Sequence, residues 1–237
     1  MTALTMPVPG EVHVHRFGLD REKKDRARLH RYLSHEEMGR ADRLLNQLAC
    51  HRFVVGRGML REILSGYLEL DPGSLRIAAG DHGKPILAAE QRQSRLCFNL
   101  SHADGLALLA VSGHCELGID LERQQDDLPF QGMAAQFFSC REQAELFRLP
   151  PGPLQLGAFY RCWTRKEAYL KGCGSGFHQP ADSFDVSLLP NQPPALLEHR
   201  TNQDEPASWR LMDITVPDGF YATLAVKGEV PVIRNIL

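Results

Sequence analysis

The sequence carries the same order of helix and strand signals twice, and this repeat constrains the fold more than any other feature. In each copy a serine that could cap a helix begins a helical pattern, at residues 34–37 and 139–142, and in the second copy a glutamate three residues after the serine fits a capping box. A second helical segment follows, at residues 51–67 in the first copy and 159–171 in the second. Each copy then closes with an Asp-Gly turn and an apolar strand. Two similar halves are therefore expected.

Short apolar runs between turn signals predict the strands of both halves. The strand candidates are Glu11–Phe17, Leu75–Ala78, Leu96–Leu100, Leu106–Val111, Cys115–Leu121, Phe184–Leu188, Trp209–Ile214 and Phe220–Val226. These signals predict the α+β class, as a pseudo-dimer in which each half is a small antiparallel sheet packed with helices. The expected halves are residues 1–112 and 113–237, with a ligand site in the cleft between them. The polar stretch 191–207 predicts a surface loop.

Composition and charge argue against several classes of protein. No apolar run approaches the roughly 20 residues of a membrane span, and residues 1–15 lack the pattern of a secretory signal. The six cysteines are scattered without metal or redox spacing, which predicts reduced thiols in a cytoplasmic protein. A net charge of −2 argues against a nucleic-acid binder. The basic excess in residues 1–62 fits either a solvated helix face or an anion site. A monomer is expected, because one chain supplies both halves of the predicted pseudo-dimer.

Carboxylates in two short segments could bind a divalent metal. Asp120 and Glu122 are two apart at the end of an apolar run, so on a strand they would face the same side. Such oxygen ligands suit Mg²⁺, although the pair alone also fits a strand that ends in a charged loop. Glu167 and Lys171 are four apart in a helical segment and share one face. Because Trp163 and its apolar neighbours mark this helix as buried, a metal with a phosphate explains the pair better than a surface ion pair does.

Other polar residues carry weaker signals. Ser101 and His102 belong to the segment 99–102, which is expected to close a strand and open a turn, and could bond phosphate oxygens. Lys84 lies in a Gly-Lys-Pro turn that fits a hairpin tip. Most arginines of the basic helical segments would be solvated, and one or two could reach a phosphate. These arginines are Arg40, Arg43, Arg52, Arg57 and Arg61.

Taken together, these segments resemble the 4′-phosphopantetheinyl transferases of the surfactin type. That family shows a Gly-Ile/Val-Asp-x-Glu element and, further along the chain, a Trp-x-x-Lys-Glu-Ala/Ser-x-x-Lys element. This sequence has both, at residues 118–122 and 163–171. It also has the family-like Gly-Lys-Pro turn at 83–85 and the Asn-x-Ser-His segment at 99–102. With similar N-terminal helices, the resemblance spans roughly residues 34–177.

The resemblance implies a pseudo-dimer of two α+β halves and a defined reaction. The 4′-phosphopantetheine arm of coenzyme A moves to a serine of an apo acyl or peptidyl carrier protein, with adenosine 3′,5′-bisphosphate as the by-product. By motif match, Mg²⁺ would be held by Asp120, Glu122 and Glu167. Glu167 would accept the serine proton, directly or through a water, and Lys171 would stabilise charge on the leaving phosphate. The implied coenzyme A contacts are Arg40, Arg52, Lys84, Pro85, Ser101, His102, Lys166 and Lys171.

Two other functions fit the same residues. A metal-dependent pyrophosphate hydrolase would use the same carboxylates, and product analysis would separate it from a transferase. A non-catalytic module that binds carrier proteins would not need Asp120, Glu167 and Lys171, whose presence favours an enzyme. Fatty-acid, polyketide and nonribosomal-peptide carriers all remain open. Apolar residues between the two motifs could contact the carrier, although a core role fits them better; they are Leu128, Phe130, Met133 and Phe137.

Overall fold

The structure, a computed structural model, describes residues 3–80, 83–174 and 179–236. The α-helices are α1 (Lys23–His30), α2 (His35–Asp42), α3 (Gln47–Leu68), α4 (Phe130–Phe137), α5 (Cys140–Arg148), α6 (Pro153–Cys173) and α7 (Glu205–Ser208). The strands are β1 (Glu11–Gly18), β2 (Ile77–Ala79), β3 (Pro85–Leu87), β4 (Cys97–Ala103), β5 (Leu106–Ser112), β6 (Leu117–Arg123), β7 (Phe184–Val186), β8 (Leu196–His199), β9 (Trp209–Asp213), β10 (Phe220–Lys227) and β11 (Val232–Ile236). Small sheets packed with helices confirm the predicted α+β class. Within these ranges, no helix is long and apolar enough to cross a membrane.

Each half contains a short capped helix followed by a long one, in the order that the repeat predicts. Ser34 and Ser139 cap α2 and α5, because each hydroxyl accepts a hydrogen bond from the backbone N–H three residues later. The side chains of Glu37 and Glu142 bond back to the capping residues, so both capping boxes are complete. α6 then runs for 21 residues and ends at Gly174, which adopts the left-handed conformation that glycine tolerates without strain.

Two sheets form the centre of the molecule. The first has the strand order β11-β1-β5-β4, and the second has the order β6-β10-β9. β2-β3 and β7-β8 form separate two-stranded sheets. The C-terminal strand β11 pairs in parallel with β1, with Val232 opposite Glu11. The first sheet therefore contains one strand from beyond residue 113.

Three apolar clusters define the order of the layers. α3 packs against one face of the first sheet, where Leu60 and Leu64 meet Leu109. The other face of this sheet packs against the second sheet through residues such as Val14 and Ile119. α6 covers the outer face of the second sheet and also packs against α4 and α5. The sequence of layers is therefore α3, first sheet, second sheet and α6.

Side chains join the two sheets where β4 and β6 lie side by side. Asn99 Oδ1 accepts a hydrogen bond from Ile119 N at 2.8 Å, and Ser101 Oγ accepts one from Leu121 N at 3.2 Å. The two side chains satisfy buried backbone donors that a regular ladder would pair with carbonyl groups. The segment 99–102 thus lies within β4, and the turn follows only after this strand. The prediction that the segment opens a turn is wrong.

The predicted surface loop at residues 191–207 contains regular structure. β8 pairs in antiparallel fashion with β7, and α7 follows before β9 begins. Leu196 and His199 of β8 are buried. The prediction of a loop is therefore wrong over β8 and α7, because pairing of β8 with the nearby strand β7 outweighs the local proline and glutamine signals.

Candidate active site

A close contact between β6 and α6 positions the two motif segments. Gly118, Asp120 and Glu122 of β6 lie on the side that faces α6, while the alternate residues pack between the sheets. A Cβ atom at Gly118 would lie 2.2 Å from the carbonyl oxygen of Ala168, far inside van der Waals contact. The absence of a side chain at Gly118 therefore allows the helix to approach the strand.

Lys171 forms an ion pair with Asp120 in the middle of this contact. Its Nζ donates to Asp120 Oδ1 at 2.5 Å and to Ser101 Oγ at 3.2 Å. Burial opposes the charge of Lys171, but the nearby carboxylates, Asp120 first, outweigh it and raise the pKa of the lysine. The second oxygen of Asp120, Oδ2, is buried and has no hydrogen-bond partner within the described ranges. An unpaired buried carboxylate oxygen is costly, so this atom is suited to a further ligand.

Two further carboxylates adjoin the ion pair. Trp163 Nε1 donates to Glu122 Oε1 at 3.1 Å and ties this carboxylate to α6. Burial and then the negative charge of Asp120 raise the pKa of Glu122 to about 7. The same two effects raise the pKa of Glu167, partly offset by Lys171. The helix spacing suggested a pair between Glu167 and Lys171, whereas the hydrogen-bonded partner of the lysine is Asp120.

The chemistry and charge of these residues fit a divalent cation. Three carboxylates face one ammonium group, and oxygen ligands of this kind suit Mg²⁺. Burial and the negative charge of Asp120 raise the pKa values of Glu122 and Glu167, and a bound cation would oppose both effects. The side chains do not form a closed cage, since among the described residues no three His, Cys, Asp or Glu side chains are grouped at metal-binding spacing. The site thus offers carboxylate ligands for a cation, but the side chains would have to move closer together to coordinate it.

A second group of predicted site residues lines a basic pocket formed by α2, α3, β3 and β4. The pocket encloses about 190 Å³. Its polar lining includes Arg40, Arg52, Arg57 and His102, and its apolar wall includes Phe53, Leu60, Pro85 and Phe98. Arg52 is held by two hydrogen bonds of 2.8 Å to Asp20. Burial and then the charge of Lys171 lower the pKa of His102, which favours the neutral imidazole. Guanidinium groups beside an apolar wall suit a flat ligand that carries phosphate.

A larger cavity lies next to the basic pocket. This cavity encloses about 400 Å³ beside the C-terminal end of α6, and Pro85 lines both spaces. Lys84 Nζ donates to Leu117 O at 3.0 Å and to Gly172 O at 2.9 Å, so two of its three donors already join the halves. The larger cavity is also lined by Glu116. The basic pocket therefore suits phosphate better despite its smaller volume.

Lys166 lies away from both pockets and from the carboxylate site. Its Nζ forms an ion pair with Glu142 Oε2 at 2.8 Å and donates to Ala181 O at 2.6 Å and Phe184 O at 2.7 Å. All three donors of the ammonium group are used, and the residue is 1% exposed. The implied contact between Lys166 and coenzyme A is therefore wrong for this chain. Lys166 instead fastens α6 to α5 and to the start of β7.

The sequence does not single out Trp163, Asn99 or Arg57 as site residues. From the sequence, Trp163 is only a marker of burial, because its hydrogen-bond acceptor, Glu122, lies on a separate segment of the chain. Asn99 has no sequence signal for its bond across the two sheets. Arg57 is one of five arginines on neighbouring helical segments, and spacing alone does not distinguish it from the solvated ones.

Comparisons with known proteins agree with this arrangement. A family model described as "4'-phosphopantetheinyl transferase, N-terminal" matches residues 21–114, and one described as "4'-phosphopantetheinyl transferase superfamily" matches residues 116–225. The 4'-phosphopantetheinyl transferase HetI of Nostoc sp. is 38% identical over 92% of this chain and 88% of its own length. The chain belongs to the 4′-phosphopantetheinyl transferase superfamily.

Other relatives of this phosphopantetheinyl transferase have the same family name. The 4'-phosphopantetheinyl transferase gsp of Aneurinibacillus migulanus is 28% identical over 86% of this chain and 78% of its own length. The 4'-phosphopantetheinyl transferase Sfp of Bacillus subtilis is 28% identical over 70% of this chain and 71% of its own length. The comparisons confirm the resemblance to the surfactin type and the prediction of a 4′-phosphopantetheinyl transferase.

Proposed function

We propose that this transferase moves the 4′-phosphopantetheine arm of coenzyme A to a serine of an apo carrier protein, with Mg²⁺ held by Asp120, Glu122 and Glu167. The observation that carries the proposal is the group of three carboxylates around one lysine, in which the buried Oδ2 of Asp120 is unpaired. When bound, Mg²⁺ would neutralise the pyrophosphate of coenzyme A. The second product is adenosine 3′,5′-bisphosphate.

Glu167 and Lys171 supply the proton transfer and part of the charge stabilisation. Burial and the charge of Asp120 raise the pKa of Glu167, which strengthens this carboxylate as a base for the serine proton. The serine oxygen bonds to the phosphorus next to pantetheine, and the bond from that phosphorus to the nucleotide oxygen breaks. The side chain of Lys171 is 31% exposed, so its ammonium can turn from Asp120 to the leaving phosphate. The carrier provides the nucleophile, and no covalent enzyme intermediate is needed.

The nucleotide end of coenzyme A is proposed to occupy the basic pocket. Arg40 lies over the Phe53 ring at 5.3 Å and is proposed to bind the 3′-phosphate. His102 lines the pocket, and the adjacent Ser101 contacts Lys171, so these residues connect the pocket with the carboxylate site. Pro85 supplies part of the apolar wall, and Lys84 holds the turn that carries it.

One chain supplies both parts of this proposed site. We therefore expect a monomer whose partners are coenzyme A and an apo carrier protein, acting in the cytoplasm. A net charge of −2 gives no reason to expect a nucleic-acid partner.

The variant Glu167→Ala tests the proposal. We expect transfer to fall by at least about 100-fold, because the variant lacks both a metal ligand and the proton acceptor. Glu145→Ala is the matched control, since Glu145 lies on α5 in an ion pair with Arg141, and it should keep wild-type activity. Thermal unfolding shows whether both variants are folded. Substantial transfer by a folded Glu167→Ala protein would remove Glu167 from the site.

A further inference from the structure

Arg57 is a guanidinium group of the basic pocket to which the proposed reaction gives no role. It lies on α3 and lines the basic pocket together with Arg40. Both arginines also line a neighbouring pocket of about 190 Å³, which shares Phe53 and Pro85 with the first. The side chain of Arg57 is 20% exposed, so it is largely enclosed but open to a ligand in either space.

Glu37 holds the guanidinium of Arg57 in place. Arg57 Nε and Nη2 both approach Glu37 Oε1, at 2.6 Å and 2.5 Å. Glu37 Oε2 accepts from Arg61 Nε at 2.6 Å and from the backbone N–H of Ser34 at 2.9 Å. Arg61 is itself fixed, since its Nη1 donates to Leu75 O at 2.8 Å. Arg57 is therefore anchored to the capped start of α2 and, through Glu37, to a buried arginine.

The charge of Arg57 is only partly compensated. Glu37 carries one negative charge and contacts two guanidinium groups, so one positive charge remains on this cluster. The charge of Arg52, in contrast, is compensated, because Arg52 forms two hydrogen bonds to the carboxylate of Asp20. Within the described part of the chain, Nη1 of Arg57 forms no hydrogen bond and keeps its donors for a ligand. An anion in the basic pocket would thus meet uncompensated charge on Arg57 and Arg40.

We propose that Arg57, positioned by Glu37, binds the 3′-phosphate of coenzyme A and contributes more to its affinity than Arg52. The inference rests on the proposed function. The pyrophosphate of coenzyme A must lie beside Asp120 and Lys171, neither of which lines the basic pocket. The 3′-phosphate is the one phosphate left for this pocket. A guanidinium anchored through one edge can offer its other donors to the phosphate oxygens.

Binding of adenosine 3′,5′-bisphosphate and of adenosine 5′-monophosphate, measured by calorimetry, tests this contact without any transfer reaction. Wild-type protein should bind the bisphosphate more tightly than the monophosphate. Arg57→Gln should weaken bisphosphate binding by about 10- to 100-fold, the usual effect of losing a hydrogen-bonded charge, and leave monophosphate binding unchanged. Arg52→Gln should cause a smaller loss. Arg43→Gln is the matched control, because Arg43 is exposed and lines only the neighbouring pocket.

The outcomes distinguish a direct contact between Arg57 and the 3′-phosphate from a general effect of positive charge. Wild-type affinity for the bisphosphate in Arg57→Gln would overturn the inference. Equal losses of bisphosphate affinity in Arg57→Gln and Arg43→Gln would also overturn it, since they would reflect the net positive charge of the region and not a direct contact. Arg57→Lys keeps the charge for the case in which the glutamine variant does not fold. It should bind with intermediate affinity, and wild-type affinity would contradict the anchored geometry. Failure of the wild-type protein to bind either nucleotide would instead contradict the proposed function.

Discussion

Replacing Trp163 with phenylalanine should weaken Mg²⁺ binding and preserve the fold. Trp163 Nε1 donates to Glu122 Oε1 at 3.1 Å. The indole ring stacks on the Phe159 ring with 6.1 Å between the ring centroids, and it packs edge-on against the Phe137 ring with 5.5 Å between the centroids. Phenylalanine keeps an aromatic ring in this cluster but cannot donate the hydrogen bond. Glu122 would then lose the side-chain bond that holds it against α6.

The expected magnitude follows from that one bond. A hydrogen bond to a charged group contributes about 1.5–3 kcal/mol. Residues that orient metal ligands typically change metal affinity by about 10- to 100-fold, which corresponds to the same energy range. Because Glu122 is one of three proposed ligands, we expect the lower end, about tenfold. The smaller ring should also lower the melting temperature by a few degrees.

The assay is the Mg²⁺ concentration that gives half-maximal transfer at saturating coenzyme A and carrier protein. It should rise about tenfold in Trp163→Phe, while the rate at saturating Mg²⁺ stays close to wild type. Phe137→Leu is the matched control, because it changes the packing of the same indole ring without touching the hydrogen bond. An unchanged Mg²⁺ requirement in folded Trp163→Phe would refute the reasoning, since Glu122 would then need no indole donor or bind no metal.

Other predictions concern stability. Lys166→Met should destabilise the protein by about 3–5 kcal/mol in urea unfolding, because it leaves buried Glu142 unpaired, and should not change the Michaelis constant for coenzyme A. A raised constant at wild-type stability would contradict the structural role. Asn99→Ala should cost about 1–3 kcal/mol, because a buried backbone N–H of β6 loses its acceptor, and an unchanged melting temperature would exclude that bond. Burial lowers the pKa of His15 from 6.5 to about 4 in the folded protein. The unfolded chain therefore takes up the proton first, and stability should fall by up to about 3 kcal/mol as pH drops from 6.5 to about 4. His15→Gln should flatten this dependence, and an equal slope in both proteins would contradict the assignment.

Much of the fold could be predicted because its signals are local. The capping boxes at Ser34 and Ser139 mark the starts of α2 and α5 within a few residues of chain. Alternation along β6 places Asp120 and Glu122 on the same side of the strand, as predicted. The packing of β6 against α6 could not be derived from either segment alone, and only the family resemblance assigns residues of both segments to one metal site.

The errors concern contacts between distant parts of the chain. Lys166 adjoins Glu167 in the motif, yet one step along a helix turns a side chain by about 100°, which directs Lys166 to Glu142 instead. The sequence does not predict β11, because its residues are largely exposed and its partner β1 lies at the other end of the chain. The sequence does not distinguish Arg57 from its neighbouring arginines either, since the carboxylate that anchors it belongs to α2, a separate helix.

The central claim is most directly tested by mass spectrometry of apo carrier proteins incubated with this protein, coenzyme A and Mg²⁺, beside a sample with EDTA. Carriers of fatty-acid, polyketide and nonribosomal-peptide synthesis should each be included. The account predicts that at least one carrier gains the mass of one phosphopantetheine arm, and that EDTA abolishes the gain. Cleavage of coenzyme A without a mass gain on any carrier would contradict transfer and favour the hydrolase, and a gain that persists in EDTA would contradict the role of the metal.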